Sequence, residues 1–347
     1  MRSEVIFLYF ASYVTAWKLE GWPLKISSAK RYNFNTFIPL YKKVVRMKFS
    51  VKLTLTVFFC VTGMYAQNDL PLFAGNSIIK PLQSQFNSQL QRNLEKQLAA
   101  NPQWKRLMDQ KKMAVGVVDL SDPENVKFAR INGNYMMYAA SLPKIAVLLA
   151  AMDALEKGEL LETPEVRRDL RLMISKSDNQ ASTRMIDRLG YGKIESVMTD
   201  SKYELYDKRH GGGLWVGKRY GGGGETNREP LKNLSHAANV MQVCRYYYLL
   251  ANGQLVNPKR SKQMLGIMEN PELHHKFVNT LDRIAPTARL FRKSGSWKTF
   301  HSDSILVWGP EGSRRYILVA LVDDSAGEQI IRNLVAPVEK ALRNTFL

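Results

Sequence analysis

The chain has 347 residues, of which 45% are hydrophobic and 23% charged, proportions that belong to a globular protein and exclude a disordered or fibrous one. Its formal charge of +19 would suit a nucleic-acid binder. However, Lys and Arg are scattered and form no basic run interleaved with aromatics, so no nucleic-acid partner is expected.

Ten Lys/Arg but only two Asp/Glu fall in residues 1–66, leaving forty against twenty-nine downstream. That remaining surplus suits an anionic substrate or an anionic envelope surface. Met47–Lys52 is a short basic stretch, followed by the apolar run Leu53–Met64 and then Tyr65-Ala66-Gln67. These have the order of a secretory leader cut after Ala66, which predicts a periplasmic or secreted protein. The apolar run is too short to span a bilayer, so no membrane span is expected after cleavage. Met47 reads as the true start, with residues 1–46 upstream of it; a longer leader is the alternative. Cys60 follows two Phe, unlike a lipoprotein cleavage site, and would leave with the leader. Only Cys244 then remains, and the mature chain 67–347 must be held by core packing without a disulfide.

Residues 78–109 carry apolar positions at helical spacing and predict one long amphipathic helix. Met113–Asp119 and Val126–Ile131 predict a strand hairpin about the turn at Ser121–Asn125. Ser141–Lys157 is strongly helical and stops at Gly158. Helices follow at 164–174, 179–189 and 193–199. The glycine runs 211–213 and 221–224, around Leu214-Trp215-Val216, predict a loop or irregular hairpin. Further helices are expected at 235–252, 257–268 and 272–283, strands at Leu290–Ser296, Ser302–Trp308 and Arg315–Val322, and a closing helix at 326–345. This order predicts a mixed α/β fold in which one antiparallel sheet is flanked by the N- and C-terminal helices. An α/β lobe (67–140 and 284–347) would then face an all-helical lobe (141–283), with a site in the cleft between them.

Ser-x-x-Lys occurs three times, at Ser27–Lys30, Ser77–Lys80 and Ser141–Lys144. Only Ser141 opens a strongly apolar helix, where a spacing of three places the Lys144 amine on the face of Ser141 Oγ. Burial of that helix would lower the Lys144 pKa towards that of a usable base. Read alone, the motif has a plain alternative, with Ser141 an N-cap and Lys144 a first-turn surface residue. Ser177-Asp178-Asn179 begins a helix, where a Ser/Asp cap is the plain alternative. Lys293-Ser294-Gly295-Ser296 lies on a strand, where a glycine permits close approach and Lys with Ser can hold a carboxylate; a protected edge strand is the alternative.

Together and in this order the three motifs resemble those of class A β-lactamases and penicillin-binding proteins, S-x-x-K, S-D-N and K-T-G, with Ser294 where Thr is commoner. The resemblance runs from about residue 78 to the C-terminus and includes Ser302–Pro310 and the helix at Ser235–Leu250. It implies a metal-free, cofactor-free serine hydrolase, a monomer, acting on a β-lactam or a peptidoglycan-derived peptide. Ser141 would attack the carbonyl with Lys144 as candidate base. Ser177 would relay a proton to the leaving nitrogen, and Asn179 would position Lys144 and the substrate. Lys293 and Ser294 would bind the carboxylate beside Gly295, with the N–H groups of Ser141 and Ser296 forming the oxyanion hole.

Two departures stand out. The interval from Ser141 to Ser177 is much shorter than in typical class A enzymes, suggesting a more open site. The Ω-loop Glu-x-x-Leu-Asn run that activates the deacylating water is missing; its counterpart, Gly211–Gly224, offers Trp215, Lys218, Arg219 and Tyr220, with Glu225 and Glu229 the nearest carboxylates. A D-alanyl-D-alanine peptidase with slow β-lactam deacylation, and a non-turnover penicillin-binding sensor, are therefore the alternatives to a β-lactamase. His210-Gly211-Gly212-Gly213 lacks the Gly-x-Ser-x-Gly elbow of lipase-like hydrolases. Adjacent His274 and His275 cannot face one metal from a helix.

Overall fold

The computed structural model describes residues 70–72, 79–310 and 314–343. The expected leader, Ser27–Lys30 and Ser77 lie outside these residues. Where one long helix was expected, Leu82–Gln85 forms a 3₁₀ turn and two helices follow, α1 (Ser88–Ala99) and α2 (Pro102–Asp109). The break is chemical. Asn101 Oδ1 accepts from the N–H groups of Gln103 and Trp104, and Pro102 takes the first helical position, where its missing N–H costs nothing.

Then come β1 (Met113–Asp119), β2 (Lys127–Ile131), β3 (Met137–Tyr138) and α3 (Lys144–Glu156). Four further helices or strands lead on: α4 (Pro164–Ser175), α5 (Asn179–Leu189), α6 (Tyr191–Thr199) and β4 (Tyr206–Asp207). The glycine-rich segment contributes β5 (Gly212–Gly213) and β6 (Trp215–Val216), followed by β7 (His236–Ala238) and α7 (Val240–Ala251). The chain closes with α8 (Pro258–Met268), α9 (Phe277–Ile284), β8 (Arg289–Trp297), β9 (Phe300–Trp308), β10 (Arg315–Asp323) and α10 (Gly327–Arg343). The helix expected from 235 starts instead at Val240. Asn239 caps it by accepting from Gln242 N–H, leaving His236–Ala238 free to pair as a strand.

One five-stranded sheet, ordered β2-β1-β10-β9-β8, is antiparallel throughout. Its period-two alternation divides the core. Val115, Val117, Ile305, Val307, Leu318 and Ala320 pack with Leu94, Trp104, Leu281 and Leu334 of the terminal helices. Ala114, Val118, Leu306, Ile317 and Val319 belong to a second core cluster that also takes in α3 and α7, and on this side the sheet packs against α7. Gly116 makes this second layer possible, since a Cβ there would lie 2.4 Å from Val240 Cγ1 and 2.7 Å from Cys244 Sγ. Helix α3 is buried from Lys144 to Leu155, as a helix apolar on every face must be.

The region between 141 and 283 is helical but also carries short strands. A three-stranded sheet, β3-β7-β6, ties the glycine-rich segment to the strand that leads into Ser141, and Ala139 N–H extends it by donating to His236 O at 2.9 Å. Among the described residues no helix is long and apolar enough to cross a membrane, and no cluster of three His, Cys, Asp or Glu could hold a metal.

Candidate active site

Ala140 takes the left-handed conformation (φ 50°), sparsely populated by residues with a Cβ, and turns the chain out of β3 into Ser141. The next residues form an i→i+3 turn, in which Leu142, Lys144 and Ile145 N–H donate to Ala139, Ser141 and Leu142 O at 3.1, 3.3 and 3.3 Å. The α-helix thus starts at Lys144 rather than Ser141. Side chains three apart eclipse in such a turn, so Ser141 and Lys144 still share a face.

Lys144 is fully buried, and Nζ reaches the loop before α5. It donates to Ser177 O (2.6 Å), Asn179 Oδ1 (2.9 Å), Asp178 O (3.3 Å) and, at 3.5 Å, Ser177 Oγ. Ser141 Oγ is not among these partners. Ser177 is also left-handed (φ 58°), which turns its carbonyl and hydroxyl towards one amine. Asp178 caps α5 by accepting from Ala181 N–H, as the capping alternative expects, while Ser177 and Asn179 meet Lys144 Nζ. Burial is the main cause that lowers the Lys144 pKa to about 7, and Asp178 opposes it.

Lys293 Nζ meets the same serine, donating to Ser177 Oγ at 2.9 Å and to Ser294 O at 2.6 Å. Burial, and then the charge of Lys144, push its pKa down. Gly295 supplies the close approach. A Cβ there would stand 2.5 Å from both Ala139 O and Ser141 N and 2.8 Å from Leu142 N. The Ser141 amide thus abuts the Gly295–Ser296 segment of β8. Gly295→Ala should displace these amides, costing about 1–3 kcal/mol in stability, which thermal melts of the variant beside the wild type check.

A cleft of about 610 Å³ opens here. Ser141, Asn179 and Ser296 line it, together with Tyr138, Tyr220, His236, Trp297 and Phe300. Lys293 and Ser294 do not; both are buried. The charged residues lining the cleft are Lys218, Arg219 and Lys298, all basic. Glu225 is exposed. Glu229 is buried and occupied, accepting from Tyr206 Oη and from the N–H groups of Leu231 and Lys232.

In place of a carboxylate, Tyr220 brings its ring centroid to 4.5 Å from Lys144 Nζ and donates to Ala140 O at 3.3 Å. His236 stacks on Tyr220, with centroids 4.1 Å apart and planes 4° from parallel. Its Nδ1 is buried without a hydrogen-bond partner. Burial first, then the charges of Lys144, Lys218 and Arg228, lower its pKa to about 3 and keep the ring neutral. Sequence reasoning singled out Tyr220 as a loop residue but missed His236, which no motif marks; the only signal was a strand-like Ser-His-Ala-Ala between a loop and a helix cap.

Sheet, buried α3 and this convergence of serines and lysines define a β-lactamase-like serine hydrolase fold. The model of the β-lactamase enzyme family matches residues 99–169 and 162–346, and the chain belongs to that family. Among solved structures it is similar to a β-lactamase from Sphaerobacter thermophilus (16% identity, 73% of this chain and 96% of that one, TM-score 0.56). It also resembles a mutant of PBP-A in an acyl-enzyme complex with penicillin G (17%, 77% and 100%, TM-score 0.57). A class A β-lactamase from Bacteroides cellulosilyticus is comparable (17%, 74% and 100%, TM-score 0.54). A search of curated protein sequences returns no match.

Proposed function

We propose that this is an exported serine hydrolase that opens a β-lactam ring through an acyl-enzyme on Ser141. The observation that carries this reading is the meeting of Lys144 Nζ and Lys293 Nζ on Ser177 beside the turn that presents Ser141. Ser141 Oγ attacks the carbonyl carbon and gives its proton to Lys144. The tetrahedral oxyanion is held by the N–H groups of Ser141 and Ser296. As the C–N bond breaks, Ser177 gives its proton to the ring nitrogen and takes one back from protonated Lys144, whose Nζ lies 3.5 Å from Ser177 Oγ. Lys293 keeps the Ser177 hydroxyl a donor towards that nitrogen and, with Ser294, supplies positive potential for the substrate carboxylate, acting from behind the cleft wall. The tests are labelling with a fluorescent penicillin, location of the adduct by peptide mass spectrometry, and turnover of a chromogenic cephalosporin. An adduct on any residue other than Ser141, or none, ends the reading.

A second reading, a D-alanyl-D-alanine peptidase with a long-lived penicilloyl adduct, is favoured by one observation: no carboxylate among the described residues lines the cleft. A missing general base is worth roughly 10²–10⁴ in rate. A label that persists for many minutes, with release of D-alanine from a D-alanyl-D-alanine peptide, selects this reading; rapid turnover selects the first. Export is tested by N-terminal sequencing of protein recovered from the envelope or medium, which should begin at Gln67.

The pH dependence follows from Lys144. A base must be neutral to accept a proton, and this amine loses its charge as pH rises through about 7. Acylation should therefore climb as pH rises across that value, as a pH series of labelling rates would show.

A further inference from the structure

Lys276 is fully buried and sits immediately before α9 with φ 56° and ψ −127°, a conformation that a residue with a Cβ adopts only when its surroundings enforce it. Its amine accounts for the enforcement. Nζ donates to Gly295 O at 2.6 Å, Ser296 Oγ at 2.8 Å and Ser302 O at 3.0 Å. An ammonium has three donors and no acceptor, so these oxygens use all of them. The contact with Ser296 therefore runs one way: Lys276 donates and Ser296 accepts.

The hydrogen on Ser296 Oγ must then point elsewhere. Among the described residues its one other partner is His301 Nδ1, at a long 3.4 Å, and Ser296 lines the Ser141 cleft. We propose that Lys276 is a positioning residue for acylation: it makes the Ser296 hydroxyl an obligatory donor towards a carbonyl or carboxylate oxygen of the substrate, and it braces the Gly295–Ser296 peptide next to the Ser141 amide. This inference rests on Ser141 being the nucleophile.

The arrangement depends on the charge of Lys276. A neutral amine could accept from Ser296, which would reverse the bond and withdraw the donor from the cleft. Burial is the main cause that lowers the Lys276 pKa to about 8, with Asp303 on β9 opposing it, Arg292 on β8 adding to it and Glu328 on α10 opposing it. Two imidazoles also face it, those of His275 and His301, and its charge helps lower the pKa of each. The amine is cationic below about 8 and neutral above, so acylation should fall as pH rises past that value, separately from the rise through about 7 set by Lys144.

The experiment measures the second-order acylation rate of the full chain by a fluorescent penicillin, from about pH 6 to about pH 10, for wild type, Lys276→Gln and Lys276→Arg. The Gln variant should acylate roughly ten- to a hundredfold more slowly at neutral pH, somewhat less than the loss of a direct oxyanion donor, and should lack the alkaline fall while keeping the rise near 7. Arg, cationic throughout, should restore the rate and also lack the fall. Circular dichroism and melting temperatures report the folded state. A folded Gln variant with the wild-type rate and an unchanged alkaline fall would overturn the inference. If neither variant folds, the wild type decides, since acylation that stays level above pH 8 in folded protein also overturns it. A wild type that takes no label at all is a different failure: it removes the serine reading itself, and this inference with it.

Discussion

Ser141→Ala should take no label from a fluorescent penicillin at any time or concentration, and any turnover of a chromogenic cephalosporin should fall by roughly 10⁴-fold or more. The reason is that a covalent intermediate needs the hydroxyl oxygen itself. No neighbouring group can replace it, since Lys144 Nζ is already committed to the 177–179 loop and Lys293 Nζ to Ser177 and Ser294. The fold should not suffer. Ser141 is only partly buried, its backbone carbonyl rather than its side chain closes the turn, and the substitution removes a single oxygen, a change expected to stay within about 0.5 kcal/mol. An unlabelled variant with the wild-type melting curve therefore isolates the chemistry. A variant that still forms the adduct means that another residue is the nucleophile.

Lys144→Met should lower acylation by roughly 10²–10⁴, or about 3–5 kcal/mol in the barrier, and abolish the dependence on pH near 7. Met matches the length of the chain it replaces but neither accepts nor donates a proton. Its effect on stability runs the opposite way. The folded protein binds the Lys144 proton only below about 7, against 10.5 for the free side chain. The unfolded chain thus holds more protons between these values, and the wild type gains stability as pH rises through that window. Below it the buried amine costs about 5 kcal/mol. Removing the amine relieves that cost but leaves Ser177 O and Asn179 Oδ1 without their donor, at about 1–3 kcal/mol each. At pH 6 the variant should therefore melt close to the wild type, and it should fall below the wild type by about pH 10. Acylation within tenfold of wild type would exclude Lys144 as the base. An inactive variant that melts far below wild type at pH 6 would mean that the amine is structural.

Both outcomes bear on the cleft lining, which holds no carboxylate among the described residues. The wall beside Lys144 is Tyr220 backed by neutral His236, and burial holds the Tyr220 phenol well above its usual pKa, hence protonated. A phenol donating to Ala140 O cannot take a proton from water. This wall therefore supplies no base for hydrolysis of an adduct, and the lifetime of the label separates the two proposed readings.

What the sequence determined by itself was whatever is written locally. Ser141 and Lys144 lie one turn apart, Ser177–Asn179 are adjacent and Lys293–Ser296 follow one another along a strand, so each motif was legible locally and their order together carried the resemblance. Alternating apolar residues were enough to predict the sheet, and the all-apolar run after Lys144 its buried helix. The break at Asn101-Pro102 and the cap at Asn239 were also local signals; helical periodicity overrode both. Only the tertiary structure decided the rest. Lys276 meets Ser296 across 20 residues and Ser302 across 26, Lys293 meets Ser177 across 116, and Tyr220 stacks on His236 through the pairing of β6 with β7. Such contacts have no period and no motif. They exist because a buried amine must find oxygens and a buried ring must find a surface, and which ones they find depends on how the layers close.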